Sequence, residues 1–131
     1  MVESNLDRIS AQIGFNIVES FKHKEDFEKL ETIVNKALGI LIEDGLFAYA
    51  IWLKSRGDKE RKYTKTIENK SLELLKNKNI NLTNKNDLMT AILDDISTNI
   101  QKTLLARQLL EKMLIYARYR AKALQKSGEM S

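Results

Sequence analysis

Between Leu38 and Gly57 the chain reads LGILIEDGLFAYAIWLKSRG, and this stretch restricts the fold more than any other. Ile40, Leu41 and Ile42 carry one helix to its end at Asp44-Gly45, because glycine tolerates the backbone conformation that closes a helix. A second helix restarts at once and runs from Leu46 to Arg56. Leu46, Phe47, Tyr49, Ile51, Trp52 and Leu53 make it apolar nearly all round, and a helix without a polar face belongs in the middle of a fold. Lys54, Ser55 and Arg56 return the chain to the surface, and Gly57 ends the helix. The spacing predicts a buried central hairpin against which other helices pack.

The remaining segments repeat the helical pattern. There is no proline in the chain, and Leu, Ile, Lys, Glu and Ala abound, a mixture that favours helix. In residues 4–21, Leu6, Ile9, Ile13, Ile17 and Phe21 share one face, with Ser4 as a candidate N-cap. Phe15 and Val18 lie off that stripe. Residues 25–44 carry Phe27, Leu30, Val34, Ala37, Leu38 and Leu41 on a broad apolar face. Residues 58–76 form a surface helix, with Asp58 as N-cap and a thin face of Tyr63, Ile67, Leu74 and Leu75. KNKNINLTNKN, residues 76–86, is a loop, because asparagine side chains compete for the backbone. Ile80 and Leu82 pin it, and Asn84 or Asn86 caps a short helix over 87–96.

The last helix, predicted over 98–126, would run on the order of 40 Å. Ala106, Leu109, Leu110, Met113, Ala117, Ala121 and Leu124 form its main stripe. A second stripe, Leu104, Ile115 and Tyr119, lies opposite. Two apolar faces mean that the helix is central or that it meets another chain, so Phe15, Val18, Leu104, Ile115 and Tyr119 are the candidate protein contacts. The fold class expected is all-α: a single compact bundle of about six helices. Residues 1–126 form one domain and residues 127–131 a loose tail.

The residues that carry chemistry are sparse. The chain has no cysteine and a single histidine, which excludes disulfides, thiolate metal sites and any multi-histidine site built from one chain. His23 sits in a charged connection and reads as solvated. Glu43-Asp44 and Asp94-Asp95 are paired carboxylates, but neighbours on a helix point about 100° apart and do not converge. Neither of the glycine-rich phosphate loops occurs. No catalytic residue, metal site or cofactor is predicted. MVESNLDR lacks the features of a signal peptide, and no apolar run is long enough to span a membrane. The expectation is a soluble, cytoplasmic protein without a membrane partner.

The formal net charge is +4 and the pI about 9.2, a balance that raises the odds of a polyanionic partner. Two basic clusters stand out. One is Lys54, Arg56, Lys59, Arg61, Lys62 and Lys65; the other is Arg107, Lys112, Arg118, Arg120, Lys122 and Lys126. They can contact phosphates along a nucleic-acid backbone, or they can be solvated helix faces diluted by Asp58, Glu60 and Glu111. Arg120 falls on an apolar face, where it snorkels or pairs with a buried carboxylate. Tyr116 is expected in the core; Tyr119 can pack there or stack bases among the arginines. Met89 and Met113 read as core fillers. A helix-turn-helix DNA reader is disfavoured, because a recognition helix exposes polar side chains to base edges and Phe47, Tyr49, Ile51 and Trp52 call for burial.

The hairpin IEDGLFAYAIWLKSRGDKE resembles that of the small-subunit family of type III-B CRISPR effector (Cmr) complexes at Gly45-Leu46, Trp52-Leu53 and Lys54-Ser55. The final helix is similar to that family's at Ala106, Leu114, Tyr116, Ala121, Ala123 and Leu124, while the family's acidic–alanine step reads Leu109-Leu110 here. The resemblance covers nearly the whole chain. It implies a compact all-α subunit without catalytic activity, stacked in several copies as an inner filament. Its partners would be copies of itself, other subunits of the complex, and the guide and target RNA backbone. The RNA would be held by Lys54, Arg56, Lys59, Arg61, Lys62, Lys65, Arg107, Arg118, Arg120 and Lys122. A helical protein–protein adapter without nucleic acid is the alternative.

Overall fold

A computed structural model of the chain describes the backbone of residues 2–130 and the side chains of residues 5–126. Among the described residues the elements are α1 (Val2–Glu19), α2 (Lys24–Asp44), α3 (Leu46–Ser55), α4 (Asp58–Lys76), α5 (Leu88–Ala91), which continues as a π-helical turn (Ile92–Ile96), and α6 (Ile100–Met130). The molecule is an all-α bundle.

α6 is the spine, packed along its length between α1 and α2. Its contacts with α2 run antiparallel: Arg107 Nη2 donates to the Ile42 carbonyl at 2.9 Å, and Gln125 Nε2 to the Phe27 carbonyl at 3.4 Å. Gly14 lets α1 approach closely, since a Cβ there would collide with the Met113 carbonyl and sit 3.2 Å from the Ala117 nitrogen. Ile17, Leu30, Leu41, Ile67, Leu74, Ile92, Leu110 and Met113 fill the shared interior without exposure. Each such side chain contributes about 1.5–3 kcal/mol of transfer free energy.

Polar groups tie the smaller helices on. Tyr49 of α3 and Ser71 of α4 share a buried hydroxyl–hydroxyl hydrogen bond of 2.7 Å, and burial pushes the Tyr49 phenol up. Arg61 of α4 donates to the Leu53 carbonyl at 3.2 Å and to Glu68 at 2.9 Å. Tyr63 donates to Asp26 of α2 at 2.6 Å and packs its ring 5.1 Å from Phe21. Leu82 is buried and Ile80 packs on the core, as expected of the Asn-rich loop.

Several expectations change. α3 is buried on one side only: Leu46, Tyr49, Ala50 and Leu53 face inward, whereas Phe47 is 40% and Ile51 57% exposed. Trp52 is half-buried beneath the Arg56 guanidinium, 5.0 Å from the ring centroid. The cause is the number of neighbours. An apolar circumference says which side chains prefer burial, but among the described elements α3 packs mainly on α2, α4 and the α5 segment, and these leave Phe47 and Ile51 uncovered. The hairpin therefore flanks the core that α6 organises. Gly45 does have positive φ, 96°, but Gly57, at φ −71° and ψ 174°, is ordinary extended backbone.

Helix ends shift as well. Helix α1 begins at Val2, so Ser4 lies inside it, and it ends at Glu19. Asp58 opens the first turn of α4, with Gly57 at the cap position. Asp87, not Asn84 or Asn86, caps α5 by accepting from the Thr90 nitrogen at 3.0 Å. α6 continues to Met130, past the predicted end at Lys126.

Candidate functional site

The ten cations proposed for nucleic acid separate onto different surfaces. On the α3 side of α4, Lys54 bonds Asp87 at 2.9 Å, and Arg61 holds the buried Glu68. Arg61 is therefore a structural clamp, and it leaves the set of phosphate-binding candidates. Arg56 lies 3.9 Å from Glu60 and covers Trp52. On the outer side of α4, Lys59 and Lys65 are exposed. Lys62 lies beside them, loosely held 3.2 Å from Asp26. These three lysines follow from the helix repeat, since positions three apart share a face.

On α6 the cations line both flanks. Towards α2, Arg107 meets Glu111 at 3.9 Å, Arg118 donates to Asn35 at 3.4 Å, and Lys122 lies 3.7 Å from Glu31. Towards α1, Lys112 reaches Asp7 at 3.2 Å, and Arg120 lies 3.5 Å from the exposed Glu19. Arg120 thus lies at the edge of the α1–α6 seam and pairs with a surface carboxylate, not a buried one. Such pairs contribute about 0–1 kcal/mol each, so phosphate or another carboxylate can replace their partners at little cost.

Between these flanks runs the second apolar stripe. Leu104 and Tyr119 are exposed and Ile115 is half-buried. Phe15 of α1 extends the stripe, its ring edge-on to Tyr116 at 6.0 Å and covered by Arg120 at 6.0 Å; Arg118 covers Tyr119 at 5.3 Å. Val18 is fully buried and is not a contact residue. It lies one position from Ile17, where the closeness of α6 widens the buried arc of α1 beyond a single stripe. Tyr116 is half-buried and donates to both Asp7 oxygens at 3.0 Å, and Met89 and Met113 pack as expected.

Three carboxylates are held below their ordinary value of 3.8. The hydrogen bond from Lys54, followed by those from Thr90, brings Asp87 to about 2. Asp26 is lowered first by Tyr63 and then by Lys62, and Asp7 first by Tyr116 and then by Lys112. All three partnerships join different helices, so they are stability devices.

The paired carboxylates do not converge: Glu43, Asp44 and Asp94 are exposed, and Asp95 accepts from the Thr83 hydroxyl at 2.7 Å. Among the described residues no three His, Cys, Asp or Glu side chains are grouped to hold a metal, and no helix is long and apolar enough to cross a membrane. The clefts among the described residues are open grooves; one of about 600 Å³ lies between α1 and α6, lined by Leu6, Asp7, Leu105, Gln108, Glu111 and Ile115. Sequence reasoning missed one exposed apolar group, at the α2–α3 corner, since it assigned Phe47 and Ile51 to the core.

No protein-family model, no curated protein and no solved structure matches this chain.

Proposed function

We propose that the chain is a non-catalytic small subunit of a type III-B CRISPR RNA-guided effector complex, stacking in several copies and contacting the guide–target RNA backbone. The observation that carries this reading is the second apolar stripe on α6. Leu104, Ile115, Tyr119 and Phe15 stay at least partly exposed on a bundle whose core is otherwise closed, and a helix keeps a second apolar face when another chain covers it. The resemblance at Gly45-Leu46 and along α6 supports reading that other chain as a further copy or another subunit of such a complex. The cytoplasm, where such a complex works, is the proposed location.

Phosphate contact is assigned first to Lys59 and Lys65, the outward lysines of α4 that enter no ion pair among the described residues, with Arg56 and the α6 cations available through exchangeable pairs and Lys54 and Lys62 engaged by Asp87 and Asp26. These groups hold charge without a fixed geometry, which suits backbone contact and gives no sequence readout. The test uses the assembly purified from its native host, with co-purifying proteins and RNA identified and RNA binding titrated against salt. Replacing Lys59 and Lys65 with glutamate should weaken binding and lower the salt slope by roughly 1.4, two contacts at about 0.7 each on a single strand. An affinity indifferent to salt and to both substitutions would leave the second reading, an adapter without nucleic acid. The Arg61–Glu68 pair, which takes one of the ten cations out of play, favours that alternative.

A further inference from the structure

Seven of the eight exposed large apolar side chains among the described residues fall into two groups with opposite electrostatic surroundings, and the eighth, Leu104, lies on α6 between them. The first lies at the end of the bundle where α2 meets α3. Ile42 and Phe47 flank the Gly45 corner, and Ile51 is one turn further along α3. Ile100, 79% exposed, opens α6 about two turns before Arg107, whose guanidinium is anchored on the Ile42 carbonyl. Leu93, in the π-helical turn packed beside α3, is also exposed. The Arg107 guanidinium beside Ile42 is engaged by the Ile42 carbonyl and lies 3.9 Å from Glu111. The unpaired charges interspersed here are acidic: Glu43 and Asp44 lie between Ile42 and Phe47, and Asp94 follows Leu93. All three are exposed and enter none of the ion pairs among the described residues. Lys102 is exposed nearby, but it is two positions from Ile100 and so points to the other side of α6.

The second group is Phe15 and Tyr119, with Arg120 over one ring and Arg118 over the other and Lys122 beside them. Apolar area here is framed by cations with weak partners: Arg118 donates to the Asn35 amide oxygen, and Arg120 and Lys122 meet Glu19 and Glu31 in partly exposed pairs that are readily exchanged. From Ile100 to Tyr119 the helix rises roughly 28 Å, so the two groups cannot meet within one chain.

We infer that the acidic apolar corner of one copy (Ile42, Phe47, Ile51 and Ile100, with Glu43 and Asp44) docks on the basic aromatic strip of the next (Phe15, Tyr119, Arg118 and Arg120). The occupant of each surface is a second copy of this chain in head-to-tail order. Pairing like surfaces would set Glu43, Asp44 and Asp94 against their own counterparts, or Arg118 and Arg120 against theirs. Only the unlike pairing matches apolar area and charge together. An interface of two different surfaces leaves one of each unfilled at the ends, so association continues until a ring closes or a filament forms. This inference rests on the multi-copy reading above and specifies the surfaces by which the copies would stack.

The test uses two full-length variants in sedimentation velocity at high protein concentration and low salt. One carries Phe47→Ser with Ile51→Ser and keeps only the strip; the other carries Phe15→Ser with Tyr119→Ser and keeps only the corner. Each should be monomeric alone, and an equimolar mixture should yield a 1:1 dimer that stops there, whereas the wild type grows with concentration. Glu43→Lys with Asp44→Lys, wholly on the surface, should abolish growth with an unchanged thermal unfolding curve, which covers the event that a serine variant misfolds. Association of either serine variant with itself would overturn the head-to-tail pairing while leaving multi-copy assembly standing. A wild type that remains monomeric at the highest concentration, with the charge-reversed variant indistinguishable from it, would overturn both.

Discussion

At Gly14 a single hydrogen atom decides how closely two helices approach. Alanine is the better helix former by about 1 kcal/mol, yet at Gly14 its methyl would meet the backbone of α6 at Met113. The backbone cannot rotate away, so Gly14→Ala should cost about 1–3 kcal/mol net. Gly39, inside α2, has open space around its would-be Cβ, and Gly39→Ala should stabilise by about 0.5–1 kcal/mol. Urea midpoints of the two variants test the pair, and equal shifts would show that the α1–α6 contact is looser than described. Tyr49→Phe removes one buried hydroxyl, but Ser71 keeps its bond of 2.7 Å to the Ile67 carbonyl. The cost should be about 1 kcal/mol.

Among elements, α3, α4 and α5 are held to each other by charge as well as by packing. Arg61 spans from the end of α3 to Glu68, and Lys54 reaches both Glu68 and Asp87. Arg61→Ala should cost about 2 kcal/mol, the range for hydrogen bonds to charged groups, and should do so without RNA present. That outcome separates a clamp from a phosphate ligand. The pH dependence follows from the same contacts. Asp87 is depressed to about 2 from an ordinary 3.8, so its contribution is complete above the unfolded value and is lost as pH falls through the folded one. Asp26 and Asp7 are shifted in the same direction. The unfolding free energy should therefore decline from about pH 4 towards about pH 2, and Asp87→Asn, which keeps an N-cap, should flatten part of that decline in acid titrations followed by circular dichroism.

Across the whole molecule, the acidic apolar corner and the basic aromatic strip lie at two separate places, and Lys59 and Lys65, the lysines of the proposed phosphate set that enter no ion pair among the described residues, at a third, the outer face of α4. If contacts with RNA and with other copies use different surfaces, they can be removed independently. Glutamate at Lys59 and Lys65 should weaken RNA binding and leave assembly intact, while serine at Phe47 and Ile51 should do the reverse for an isolated copy. Measuring both properties on both variants checks the division.

Spacing alone determined the helices. Period-3.6 stripes, the absence of proline, the asparagine run at 76–86 and the Asp44-Gly45 break are local signals, and each follows from what one segment can satisfy by itself. The buried face of α6 and the exposed stripe opposite it were legible for the same reason. Tertiary structure decided which apolar residues are covered. Val18 is buried because α6 presses onto α1 at Gly14, and Phe47 and Ile51 stay exposed because α2, α4 and the α5 segment, on which α3 mainly packs, do not cover them. Packing also turned Arg61 from a ligand candidate into a clamp, since its carboxylate, Glu68, lies two turns away on the same inward-turned edge of α4. Burial and ion pairing depend on a second element being present, and a one-dimensional pattern records preference, not proximity.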